Sequence, residues 1–127
     1  QVADCVIDGT FYHGTTEECA RLIAVTRLSR SHTGVGSGRC SFGRGVYVAD
    51  KPAYSLHRDY ARPDADGNQT LLVVSACPGR SYGPGQPSYR EAPAGYSSCT
   101  NYDNDIRVLF CDEQCAVRYI VTCAPKN

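Results

Sequence analysis

Ser41-Phe42-Gly43-Arg44-Gly45-Val46-Tyr47-Val48-Ala49-Asp50 is the stretch on which the reading of this chain turns. Val46 and Val48 alternate with Tyr47, the period of a short strand over residues 45–49. Gly43 and Gly45 stand in front of it, where missing side chains leave backbone open to close approach. Upstream, Phe11-Tyr12-His13-Gly14-Thr15 sets a glycine beside ring-bearing residues in the same manner. Such runs suit a flat ligand: the ring stacks on aromatic side chains and backbone amides fix its orientation. A third run, Asn104-Asp105-Ile106-Arg107-Val108-Leu109-Phe110, decides whether that site does chemistry or only binds.

The whole chain sets the frame. Its 127 residues amount to one domain, 1–127. Thirteen basic and thirteen acidic residues cancel, which argues against a nucleic-acid or anionic-membrane footprint. No apolar run approaches the length of a membrane span. Eight cysteines are far above ordinary usage: Cys5, Cys19, Cys40, Cys77, Cys99, Cys111, Cys115 and Cys123. They are even in number and widely spaced, with no C-x2-C pair, so the spacing predicts a disulfide framework and no metal site. Four bridges imply an oxidising compartment and hence secretion. A start at Gln1 without any methionine fits a mature product after signal-peptide removal. Asn68-Gln69-Thr70 is a glycosylation sequon in a loop-like stretch.

Along the chain, residues 5–12 read as a first strand. Thr15 or Thr16 caps a helix to about residue 25, with Glu17 and Glu18 in the first turn, where the macrodipole favours acids. Cys19, Leu22, Ile23 and Thr26 form its expected buried stripe. Residues 27–40 read as a Ser- and Gly-rich loop, and residues 52–60 as a second helix opened by Pro52. The apolar run 70–77 is the clearest core strand. Residues 78–102 read as coil tied down by Cys99. Strands at 107–110 and 118–123 close the pattern, which is α+β.

The order of these motifs resembles the catalytic domain of the poly(ADP-ribose) polymerases within the ADP-ribosyltransferase superfamily. In that family a His-Gly-Thr segment ends one strand, here His13-Gly14-Thr15, and Phe-Gly-Lys-Gly-Ile-Tyr-Phe-Ala-Asp forms another, here residues 42–50. Ser55 and Tyr60 match the serine and tyrosine of the nicotinamide pocket, with a spacing to Tyr60 about two residues longer. Pro93-Ala94-Gly95-Tyr96-Ser97-Ser98 is similar to the family's Pro-x-Gly-Tyr-Asp-Ser loop, and Gln114 with residues 118–122 to its C-terminal ending. The resemblance covers residues 10–123. It implies split antiparallel β-sheets with short flanking helices, here in a minimal, disulfide-stapled form.

The resemblance also implies roles. His13 would bond the adenosine-side ribose of NAD, the co-substrate. Gly14, with Thr15 beside it, would hold the nicotinamide amide through backbone, joined by Ser55. Tyr47 and Tyr60 would sandwich the nicotinamide ring. The family's third triad member, a glutamate, stabilises positive charge developing on the ribose. Aligned through Phe110, Gln114 and Tyr119, that position holds Ile106. Asp105 would need a one-residue slip or bulge to reach it, because neighbours on a strand face opposite sides. His13, Tyr47 and Ile106 therefore make a His-Tyr-Ile arrangement, similar to family members that transfer a single ADP-ribose. The expected function is a secreted mono-ADP-ribosyltransferase, a toxin or effector acting on a protein acceptor as a monomer. The alternatives are NAD glycohydrolysis at the same site, or a non-catalytic NAD- or protein-binding module.

Overall fold

The computed structural model describes residues 9–29 and 40–125. Gln1, Cys5 and most of the loop read at 27–40 lie outside them. Seven strands form one sheet: β1 (Gly9–Thr15), β2 (Val46–Ala49), β3 (Gln69–Ala76), β4 (Ser81–Tyr82), β5 (Ser98–Thr100), β6 (Ile106–Leu109) and β7 (Cys115–Cys123). Their order is β4-β5-β6-β2-β1-β3-β7, parallel at β4–β5 and antiparallel elsewhere. The sheet is split in its middle. β1 pairs with β3 along all seven residues but meets β2 at a single pair, Tyr12 with Ala49. Two halves, β1-β3-β7 and β2-β6-β5-β4, therefore diverge from that one contact.

Helix α1 (Glu17–Val25) begins where its sequence predicts: the Thr16 hydroxyl accepts from the Cys19 N–H at 3.2 Å, satisfying one orphan donor. Its buried stripe is Ala20 and Ile23, while Leu22 stands exposed, so the face is rotated from the expected one. These two residues pack with Phe11, Val46, Val48, Leu72, Val74 and Leu109 as the main core. Val46 and Val48 give that core one face of β2, leaving Tyr47 and Ala49 on the other. On that second face Val108, Phe110 and Cys99 cluster with Phe42, Tyr47, Tyr82 and Tyr89. Helix α2 is one turn, Pro52–Ser55, shorter than the expected helix over 52–60. Residues 78–102, expected as coil, carry β4 and β5.

The disulfide-stapled architecture is overturned. Cys19, Cys40, Cys99, Cys111, Cys115 and Cys123 are free thiols. Cys77 is disulfide-bonded, and with six thiols free the chain's eight cysteines hold at most one bridge. The reason is placement. Cys99 lies on β5 and Cys123 ends β7, five strand steps apart in the sheet, or about 24 Å, whereas a bridge needs Cα atoms within about 7 Å. Burial inside the second core holds Cys99 in place without a bond.

Candidate functional site at the split between β1 and β2

His13 and Tyr47 meet where the sheet divides. The His13 Nδ1 lies 2.6 Å from the Tyr47 carbonyl oxygen. A carbonyl only accepts, so Nδ1 carries the proton and a neutral ring leaves Nε2 as an acceptor. Burial lowers the His13 pKa from its ordinary 6.5, and the bond to Tyr47 opposes that shift in part. The ring is thus held neutral by its surroundings.

Register fixes the neighbours. Ala49 pairs with Ile106 and Tyr47 with Val108, so these four side chains share a face. Tyr12, opposite Ala49, shares it too. β1, β2 and β6 are consecutive in the sheet, so His13, Tyr47 and Ile106 lie on adjoining strands. His13, however, alternates with Tyr12 and stands on the face opposite Tyr47 and Ile106, its ring reaching the Tyr47 backbone across the split. Ile106 is 1% exposed, and its carbonyl accepts from the Thr100 hydroxyl at 2.7 Å. Asp105 is engaged elsewhere. Its carboxylate accepts from the Asn101 side-chain amide, and its N–H donates to the Asn101 side-chain oxygen Oδ1 at 3.1 Å. Its own carbonyl accepts from the Asp50 N–H at 3.1 Å, continuing the β2–β6 pairing without a slip. Asn104, at φ 58, lies in the turn that joins β5 to its antiparallel partner β6.

The glycines have packing reasons that sequence alone does not reveal. A Cβ on Gly14 would lie 2.0 Å from the Ser55 carbonyl oxygen. Gly14 is therefore what lets the end of α2 settle on β1, burying Ser55. A Cβ on Gly45 would lie 2.5 Å from the Leu109 carbonyl oxygen. At Gly43, φ is +141, outside ordinary side-chain territory, and a Cβ would meet Phe110 at 2.7 Å. These glycines close the backbone against neighbours more than they open it to a ligand.

The tyrosines depart from the expected sandwich. The Tyr47 hydroxyl accepts from the Phe42 N–H at 2.9 Å and donates to the Gly43 carbonyl at 2.8 Å. That pins the glycine turn to β2, and burial pushes the phenol up to about 12. Tyr60 stacks on Tyr54, with ring centroids 5.5 Å apart at 14° and hydroxyls 3.4 Å apart. The residues before Tyr60 form a turn in which the His57 carbonyl accepts from the N–H groups of Tyr60 and Ala61, each at 2.9 Å. Gln69 then clasps both ends of this loop, donating to the carbonyls of Leu56 at 2.7 Å and Ala61 at 2.8 Å. Thr15 ends β1, buried against its partner Thr70.

Three residues here escaped sequence reasoning: Tyr54, Gln69 and Asn101. Only Tyr54 left a signal, an aromatic one position before Ser55. Gln114, matched above to the C-terminal motif, has a structural role, its amide donating to the carbonyls of Ser97 at 2.9 Å and Cys77 at 3.2 Å. No protein-family model matches the chain. No helix among the described residues is long and apolar enough to cross a membrane, and they contain no cluster of three or more metal-ligating side chains.

Proposed function

We propose that this chain is an NAD-dependent mono-ADP-ribosyltransferase, a monomer that transfers one ADP-ribose to a protein acceptor and releases nicotinamide. What carries the reading is the adjacency of β1, β2 and β6, with His13 bonded to the Tyr47 backbone at the split and Ile106 beside Tyr47's strand. On this reading NAD binds along the seam between β1 and β2 as substrate. His13 offers Nε2 as an acceptor for a ribose hydroxyl, and Ser55 and Tyr60 border the same end of β1.

In the reaction, the bond from ribose carbon to nicotinamide nitrogen breaks and its electron pair leaves with nicotinamide. Positive charge develops on the ribose, and an acceptor oxygen or nitrogen closes the new bond while losing its proton. Ile106 brings no carboxylate to this step, and Asp105 is committed to Asn101. The acceptor's own acidic group then removes the proton, which suits single transfers and disfavours chain growth.

A second reading, NAD binding without turnover, is favoured by one specific observation: Ile106 is almost fully buried and its side chain carries no polar atom. The test is release of nicotinamide from NAD by the full chain, with and without added acidic acceptor proteins. Acceptor-dependent release, together with a mass gain of one ADP-ribose on the acceptor, supports transfer. Release with water alone means glycohydrolysis, and saturable binding without release means the second reading. Absence of NAD binding would remove all three.

A further inference from the structure

Tyr60 is already occupied. Tyr54 lies on it nearly parallel, at 5.5 Å and 14°, a geometry within the range of offset aromatic stacking. The hydroxyls approach to 3.4 Å, and His57 contacts the Tyr60 ring from a second direction at 5.8 Å and 55°. The two partners differ in how firmly they are held. Tyr60 sits on the loop that Gln69 clasps at Leu56 and Ala61. Tyr54 stands on a one-turn helix whose N-cap, Lys51, makes no side-chain capping bond. Burial and the Tyr60 bond raise the pKa of its phenol, and α2, which carries it, packs against both β1 and β2.

We propose that Tyr54 is an internal plug, an aromatic ring stacked on Tyr60 that an incoming planar carboxamide ring must displace. This inference rests on the reading of the cleft as a nicotinamide site. The plug exchanges one stacked pair for another, so affinity falls by the strength of the internal stack. A stacked aromatic pair corresponds to about two- to tenfold in a dissociation constant. Return of Tyr54 to Tyr60 would also favour release of nicotinamide once the glycosidic bond has broken.

The test is titration of the full chain with nicotinamide and with NAD, in wild type, Tyr54→Ala and Tyr54→Leu. Leucine keeps apolar bulk on α2 should alanine unfold it. Both variants are expected to bind nicotinamide about two- to tenfold more tightly than wild type. In wild type, the Tyr54 ring-proton resonances, shifted by the stack, should move towards ordinary positions as nicotinamide is added. Nicotinamide binding that is unchanged or weaker in the folded variants overturns the plug and leaves the cleft reading standing. Absence of saturable binding of either probe, in wild type and both variants, overturns the cleft reading and the plug with it.

Discussion

His13 donates from Nδ1 to the Tyr47 carbonyl at 2.6 Å, bridging two strands that otherwise share one register pair, Tyr12 with Ala49. The contact sets which nitrogen of His13 is free, and it makes the ring part of the fold as well as of the site. Its lowered pKa is therefore a statement about stability. Above the unfolded value of 6.5 both states are neutral and the full contribution is present. As pH falls below 6.5 the unfolded chain takes up a proton that the folded chain resists, so stability drops until the folded pKa is passed. Thermal melts from pH 8 to pH 5 should show a decline beginning near 6.5, and His13→Gln should flatten it. An equal decline in the variant would assign the effect to other groups.

Gly14 should tolerate no side chain. With a Cβ at 2.0 Å from the Ser55 carbonyl, Gly14→Ala must push α2 off β1. Overpacking of this kind costs about 1–3 kcal/mol. Gly9→Ala, whose nearest atom is a Phe11 ring carbon at 3.1 Å, is the milder control. Denaturant midpoints of the two variants should separate clearly, and equal midpoints would contradict the packing role.

Asn101 clamps Asp105, the acid next to Ile106 on the chain. Asn101→Ala removes one bond to the carboxylate and one to the backbone N–H. Bonds to charged groups contribute about 1.5–3 kcal/mol, so the loss of stability should fall near that range. Nicotinamide release should not rise, because the Ala49–Ile106 register still turns residue 105 away. A gain in turnover would mean that Asp105 reaches the ribose.

Thiol counting tests the free cysteines. Denatured, non-reduced protein should give at least six reactive thiols. In the native state Cys99 should react slowly because it is buried. Cys115 should lag as well, since burial and the nearby Asp112 raise its pKa to about 11. That leaves about a thousandth of it as thiolate at pH 8. Rapid native reaction at all six positions would contradict this packing.

Much of the fold is legible in the sequence where a local rule acts alone. The Thr16 cap and the continuous apolar run of β3 are of that kind. The rest depends on tertiary partners. Two glycines that look like openings for a ligand, Gly14 and Gly45, are closed by Ser55 and Leu109 backbone from distant segments. α2 ends early because the chain must turn at His57 to bring Tyr60 back beside Tyr54. Cysteine number carries no information on distance, and the sheet order keeps Cys99 and Cys123 apart.

Calorimetric titration of the full chain with NAD tests the account most directly, with wild type beside His13→Ala. The account predicts saturable one-to-one binding that His13→Ala weakens by about tenfold or more, the loss of one buried hydrogen-bonding partner to ligand and strand. Absence of binding, or binding undiminished in a folded His13→Ala variant, would contradict it.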